Sequence, residues 1–113
     1  MPEKNIIIIG AGPGGLTAGM LLQNSGCRVT IFEKQSYVGG RTSSFQKDGY
    51  TFDLGPTFLS MPHLLEEIFE ECGRSLYDYV NLKRIEPMYE LIFNDTSFFP
   101  GTNRENMKKR IQQ

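Results

Sequence analysis

A glycine-rich turn between an apolar run and a helical segment leaves this chain few folds to choose from. The turn is Gly10-Ala11-Gly12-Pro13-Gly14-Gly15; it follows Ile6-Ile7-Ile8-Ile9 and precedes the helix-like Leu16 to Asn24. Four β-branched residues in a row are typical of a parallel strand buried on both faces, and glycines allow a sharp turn into a helix. Gly10, Gly12 and Gly15 have the G-x-G-x-x-G spacing, which brings backbone close to a pyrophosphate at a helix N-terminus. The pattern therefore predicts a phosphate-binding turn.

An acidic residue follows at the distance that this motif requires. The stop signal Ser25-Gly26 precedes a second β-rich run from Arg28 to Phe32, which ends at Glu33, eighteen residues beyond Gly15. The fingerprint places a carboxylate at about 20 residues, where it accepts a hydrogen bond from a ribose 2′-hydroxyl and would repel a 2′-phosphate. Strand, turn, helix and strand in this order favour a dinucleotide site that disfavours NADP. The alternative is a solvated charge at a strand end.

A second candidate binding motif is Gly39-Gly40-Arg41. Paired glycines let the backbone pass close to a ligand, and the arginine places a planar, permanently charged fork against phosphate oxygens. Alone, this segment is typical of a flexible surface turn. Behind a complete fingerprint it predicts further diphosphate contacts, and it favours a flavin dinucleotide over ADP or NAD.

The rest of the chain predicts hairpins and short helices. In order these are a hairpin from Phe45 to Phe52 turning at Lys47-Asp48-Gly49, a break at Asp53-Leu54-Gly55-Pro56-Thr57, a helix with Ser60 as cap and Pro62 in its first turn ending at Gly73, a second hairpin from Tyr89 to Phe99, and a last helix capped by Thr102. The Gly-Pro break exposes main-chain groups suited to lining a ligand.

Composition excludes several classes of function. The 113 residues are 39% hydrophobic with a net charge of −1, so we expect a globular chain with one core and no nucleic-acid partner. Cys27 and Cys72 lack CxxC spacing and nearby histidines, which predicts reduced thiols and no metal site. Glycines interrupt the apolar N-terminal stretch, so we expect no signal peptide, no membrane span and a cytoplasmic location.

Taken together, these motifs resemble the N-terminal part of the carotenoid (phytoene and dehydrosqualene) desaturases, within the FAD-dependent amine-oxidase-like oxidoreductases. The resemblance spans essentially the whole chain. It rests on Ile8 to Leu16, Glu33-Lys34, Gly39-Gly40-Arg41 and Phe52 to Thr57, with Tyr77 to Val80 favouring a desaturase. The family usually turns its second hairpin on Asp-Gly, where this chain has Asn94-Asp95.

The resemblance implies an α/β fold, with a partial Rossmann-like FAD-binding βαβ unit, antiparallel hairpins, short helices and an incomplete sheet. It implies that hydride passes from a long isoprenoid chain to FAD, and that the parent enzyme is cytoplasmic or peripheral to the membrane. The cofactor-binding residues it implies are Gly10, Gly12, Pro13, Gly14 and Gly15 at the diphosphate, Glu33 and Lys34 at the ADP ribose, Gly39, Gly40 and Arg41 at phosphate and ribitol, and Gly55, Pro56 and Thr57 toward the isoalloxazine. The catalytic base is unknown.

The length predicts a fragment. Residues 1–57 are expected to form the FAD-binding half and residues 58–113 the start of a truncated substrate region, because the last helical pattern is still running at Gln113. Such a fragment is expected to bind FAD weakly, to be inactive alone and to self-associate through its uncovered sheet. A flavin amine oxidase or protoporphyrinogen-oxidase-like segment, or a non-catalytic nucleotide-binding module, are the alternatives.

Overall fold

A computed structural model describes residues 4–112, which form two compact units, one up to Val80 and the other from Asn81. The elements are β1 (Asn5–Ile9), α1 (Pro13–Asn24), β2 (Arg28–Phe32), β3 (Ser44–Lys47), β4 (Tyr50–Asp53), α2 (Pro62–Glu71), β5 (Leu91–Ile92), β6 (Ser97–Phe98) and α3 (Arg104–Ile111), with 3-10 helices at Gly40–Thr42 and Leu76–Asp78. The predicted mixed α/β architecture is confirmed. The division into regions 1–57 and 58–113 stays a prediction, and its terminal residues 1–3 and 113 lie outside the described residues.

Strands β1 and β2 are connected by helix α1 and pair with each other in parallel, with Ile9 opposite Phe32 at their carboxyl ends. One face is half-buried beneath α1, whereas Ile7 and Ile9 on the other face are 66% and 81% exposed. The expectation that β1 is buried on both faces is therefore wrong for this chain, since only one face has a helix against it. The expected incomplete sheet is confirmed.

Helix α1 lies close to the sheet because two of its residues have no side chain. A Cβ at Gly19 would lie 2.9 Å from Cδ1 of Ile31, and a Cβ at Gly15 only 2.0 Å from the carbonyl oxygen of Gly10. The helix ends as predicted, with Ser25 as its C-cap and Gly26 at φ 86°. Its first turn begins earlier than the sequence suggested, at Pro13, because proline suits the first position of a helix.

The first hairpin follows the sequence prediction closely, and α2 follows it except at its N-cap. Strands β3 and β4 are antiparallel and turn through Asp48 and Gly49 at φ 52° and 82°, as a two-residue hairpin loop requires. The rings of Phe45 and Phe52 stack across the pair with centroids 5.2 Å apart. The predicted cap of α2 is wrong, because Met61 occupies the N-cap position without a side-chain hydrogen bond.

The second unit contains a short hairpin and α3. Strands β5 and β6 pair antiparallel over two residues each, so the predicted hairpin is present but shorter. Asn103 caps α3 by accepting a 3.0 Å hydrogen bond from the amide of Asn106, in place of the expected Thr102. Among residues 4–112 no helix has the length and apolar character needed to cross a bilayer.

Candidate functional site

The glycine turn joins the carboxyl end of β1 to the N-terminus of α1. Gly10 has φ +100° and donates its amide to the carbonyl of Phe32 at 2.7 Å, which holds the turn against β2. Gly12 is the N-cap and offers no capping side chain, and the amide of Leu16 bonds its carbonyl at 3.0 Å. The first-turn amides of a helix lack intrahelical acceptors, so Gly14 and Gly15 present donors suited to an anion.

The glycines of this turn divide into two physical kinds. A Cβ at Gly15 would collide with the backbone of Gly10, so packing within the chain requires that glycine. A Cβ at Gly12 or Gly14 would meet no atom within 4 Å. Packing therefore does not explain these two residues, whereas close approach of a pyrophosphate would. Pro13 lies exposed between them at the first position of α1.

Glu33 lies beside the turn, and its carboxylate is held by backbone amides. Ala11 donates to Oε2 at 2.7 Å and Gln35 donates to Oε1 at 2.9 Å. These hydrogen bonds, first from Gln35 and then from Ala11, lower the pKa of Glu33 below its usual 4.5. Each carboxylate oxygen can accept more than one hydrogen bond, so an ionised Glu33 can still accept one from a ribose hydroxyl. Lys34 is exposed next to it.

The glycine pair packs directly on the glycine turn. Gly39 donates its amide to the carbonyl of Ala11 at 2.8 Å, and a Cβ at Gly40 would lie 3.2 Å from Cα of Gly12. Both residues of the pair have positive φ, 104° and 55°, a conformation that glycine adopts without strain. The structure therefore brings these two predicted motifs, which are distant in sequence, into contact.

The third motif packs on the second. A Cβ at Gly55 would lie 2.0 Å from the carbonyl oxygen of Arg41, and the amide of Leu54 donates to the carbonyl of Ser43 at 2.9 Å. Arg41 is exposed and is absent from the ion pairs found among residues 4–112. Its guanidinium is thus available to a ligand.

Pro56 and Thr57 continue from Gly55 as an exposed irregular segment. They follow Gly55, the last residue in the series of contacts that begins at the glycine turn. The structure thus places every predicted site residue in the first compact unit, around the carboxyl ends of β1 and β2 and the segments packed on them.

Two residues of this region escaped the sequence prediction, Ala11 and Ser43. Ala11 is 3% exposed and bonds both Glu33 and Gly39 through its backbone, so its side chain gave no signal. Ser43 is 7% exposed and donates its hydroxyl to the carbonyl of Gly40 at 2.7 Å. A hydroxyl three residues after a glycine is a recognisable turn-forming pattern, and it could have singled out Ser43.

Other chemically distinctive side chains lie apart from these motifs. Cys27 and Cys72 are free, half-buried thiols, and His63 is exposed in the first turn of α2. In the part of the chain that the structure describes, no three His, Cys, Asp or Glu side chains are grouped as metal ligands would be.

Comparison with known proteins identifies the same region. The family model for the NAD(P)-binding Rossmann-like domain matches residues 8–72, which include all three motifs. The crystal structure of a CLA-producing fatty acid isomerase from P. acnes has a similar fold, with a TM-score of 0.51 and 33% identity over 66% of this chain and 18% of the isomerase.

Sequence relatives extend the match over nearly the whole chain. A 4,4′-diapophytoene desaturase (4,4′-diapolycopene-forming) of Methylomonas sp is 48% identical over 97% of this chain and 22% of its own length. A 4,4′-diapolycopene oxygenase of Methylomonas sp is 44% identical over 84% of the chain and 19% of its own length. A 4,4′-diapophytoene desaturase (4,4′-diaponeurosporene-forming) of Staphylococcus haemolyticus is 46% identical over 80% and 18%. The predicted resemblance to carotenoid desaturases is confirmed, and the chain spans about a fifth of these relatives' length.

Proposed function

Because the chain belongs to the NAD(P)-binding Rossmann-like domain family, we propose that it is the N-terminal FAD-binding segment of an oxidoreductase that desaturates a carotenoid or related isoprenoid chain. The observation that carries this proposal is the contact of Gly12 with Gly40 and of Arg41 with Gly55, which assembles three separate motifs around one helix N-terminus. The desaturases at 48% and 46% identity supply the reaction class.

The described residues fit an FAD diphosphate and ADP ribose. The open space at Gly12 and Gly14 admits phosphate oxygens next to the first-turn amides of α1. The ionised Glu33 accepts a hydrogen bond from a ribose hydroxyl and repels a 2′-phosphate, which favours FAD or NAD over NADP. Arg41 adds a positive charge and a forked donor for the diphosphate. Lys34, Pro56 and Thr57 remain predicted contacts of the same cofactor.

When bound, FAD supplies the hydride acceptor that desaturation requires. The chain's own contribution is to bind and orient, since the backbone of Gly55 packs against that of Arg41 and Arg41 follows the glycine pair that packs on the glycine turn. We propose no catalytic base in this chain. The substrate is an isoprenoid of the parent enzyme, for which we propose a cytoplasmic location with peripheral membrane contact.

The binding part of this proposal is tested by titrating the purified chain with FAD, ADP and NAD. We expect weak binding with a preference for FAD. Arg41→Ala should raise the dissociation constant for FAD about ten- to hundredfold, because a hydrogen bond to a charged group contributes about 1.5–3 kcal/mol. Arg28→Ala is the matched control, since Arg28 is exposed at the opposite end of the β1–β2 pair. Equal affinity for the three nucleotides would instead favour a nucleotide-binding module.

The catalytic part is tested with a chimera. The chain replaces the matching N-terminal segment of the Methylomonas diapophytoene desaturase, to which it is 48% identical over 110 residues. We expect the chimera to retain bound flavin and to desaturate diapophytoene, and the chimera carrying Arg41→Ala to lose flavin. A chimera that folds and holds flavin but leaves diapophytoene unchanged would contradict the proposed substrate class.

A second candidate is an oxygenase of carotenoid chains. It is favoured by the 44% identity to the diapolycopene oxygenase, which is close to the identities with the desaturases. The same chimera made with the oxygenase distinguishes the two, because a segment specific to desaturation should support activity in the desaturase only.

A further inference from the structure

Ser43 is a buried polar residue that joins two of the three motifs. Its hydroxyl donates to the carbonyl of Gly40 at 2.7 Å, and its amide donates to the same oxygen at 3.3 Å. Its own carbonyl accepts the amide of Leu54 at 2.9 Å. One residue therefore bonds to the glycine pair on one side and to the segment that leads to Gly55 on the other.

The surroundings of Ser43 leave its neighbours little freedom. A Cβ at Gly39 would lie 3.3 Å from Cα, Cβ and N of Ser43, so the backbone of the glycine pair rests against it. Gly40, whose carbonyl Ser43 holds, approaches Cα of Gly12 on its other side. A displacement of Ser43 would consequently move Gly40 away from the phosphate-binding turn, and with it the adjacent Arg41.

We propose that Ser43 is a positioning residue, which fixes Gly40 and Arg41 against the glycine turn and so sets the affinity for the FAD diphosphate. This inference rests on the proposed FAD-binding function. Ser43 exerts this role through the hydrogen bond from its hydroxyl to the carbonyl of Gly40. The neighbouring Ser44 has the same side chain, but it is exposed and lies outside this contact.

Ser43→Ala removes that hydrogen bond and leaves the carbonyl of Gly40 with the longer backbone contact alone. The net contribution of one such hydrogen bond corresponds to about a three- to tenfold change in an equilibrium constant. We therefore expect Ser43→Ala to weaken FAD binding by about this factor. Ser43→Thr keeps a hydroxyl at the same position and should restore the affinity for FAD. Ser44→Ala is the matched control and should bind FAD as the unchanged chain does.

The readout that separates positioning from general destabilisation is the affinity for AMP. AMP engages the Glu33 side of the site and lacks the diphosphate that Arg41 contacts. We expect Ser43→Ala to raise the dissociation constant for FAD and to leave that for AMP unchanged, while the urea midpoint falls by no more than the loss of one hydrogen bond explains. Parallel loss of FAD and AMP affinity with a lower midpoint would overturn the proposal, as would a Ser43→Thr chain that binds FAD no better than Ser43→Ala.

Amide hydrogen exchange of the ligand-free chain tests the same inference independently of FAD. Ser43→Ala should accelerate exchange at the amide of Leu54, which bonds the Ser43 carbonyl, while the amides of β1 and β2 exchange at their original rate. If the unchanged chain binds no FAD, the proposed function fails, and the Leu54 amide still decides whether Ser43 positions this segment. An unchanged exchange rate at Leu54 overturns the inference.

Discussion

Gly55→Ala tests the contact that joins the third motif to the second. The added Cβ would lie 2.0 Å from the carbonyl oxygen of Arg41 and 3.2 Å from its carbonyl carbon. Carbon and oxygen atoms approach to about 3.3 Å at rest, so one of the two backbone segments must move by about 1 Å. Both atoms of the clash belong to backbone or to a rigid Cβ, so rotation of a side chain cannot relieve it.

The expected cost follows from the contacts at this position. Overpacking costs about 1–3 kcal/mol, and loss of the neighbouring hydrogen bond from Leu54 to Ser43 about 0.5–1.5 kcal/mol. The lower flexibility of alanine in the unfolded chain offsets about 0.4–1 kcal/mol of this. We therefore expect the free energy of unfolding of the first unit to fall by about 0.5–4 kcal/mol.

Urea unfolding followed by circular dichroism measures this change, and FAD titration of the folded variant measures the displacement of Arg41. We expect the dissociation constant for FAD to rise about tenfold, which corresponds to about 1.4 kcal/mol. Gly101→Ala is the matched control, because its Cβ would lie 3.8 Å from Oε1 of Glu86, an ordinary contact. A Gly55→Ala chain that unfolds and binds FAD like the unchanged chain would show that Gly55 does not hold Arg41.

Three further predictions follow from the same geometry. Gly12→Ala, whose Cβ points into open space, should keep the urea midpoint but weaken FAD binding at least about tenfold, whereas Gly15→Ala should lower the midpoint itself. Hydrogen bonds lower the pKa of Glu33, so the stability that Glu33 contributes is present above its usual pKa of 4.5 and is lost as pH falls through the lowered value. Glu33→Gln should therefore show a shallower loss of stability in acid than the unchanged chain does. Ile7→Lys, on the exposed face of β1, should abolish the self-association that we expect of the chain, and sedimentation that finds the unchanged chain monomeric at every concentration would contradict this.

The sequence predicted the elements well, because the patterns that specify them are local. Glycines mark the turn before α1 and the end of α2, and Asp48-Gly49 specifies a two-residue hairpin loop. The errors concern features that neighbouring backbone decides. Met61 occupies the N-cap of α2 in place of the predicted Ser60, and Asn103 occupies the N-cap of α3 in place of the predicted Thr102. Each observed cap lies one residue later than the predicted one, because the start of a helix depends on where the preceding segment lets the chain turn.

The candidate site was predicted as separate motifs, and its assembly could not be. The sequence indicated Glu33 through its spacing from Gly15, but the hydrogen bond from Ala11 joins residues 22 apart through a backbone amide. Contacts of this kind are independent of side-chain type and leave no compositional signal. The prediction that β1 is buried on both faces failed for a similar reason. Burial of a strand depends on which elements pack against it, and a run of isoleucines indicates only that such packing is favourable.

The glycines of the three motifs show how the chain separates architecture from ligand binding. Gly15 and Gly55 are required because a Cβ would strike the backbone of Gly10 and Arg41, so they hold the segments together whether or not a ligand is bound. Gly12 and Gly14 meet no neighbour at the Cβ position, so nothing within the described chain restricts them to glycine. The packing glycines bring the open glycines, Glu33 and Arg41 to one helix N-terminus. A surface with the amide donors of α1, the carboxylate of Glu33 as an acceptor and the guanidinium of Arg41 is chemically suited to a dinucleotide diphosphate. It is less suited to a mononucleotide, because a single phosphate would leave either Arg41 or Glu33 without a partner.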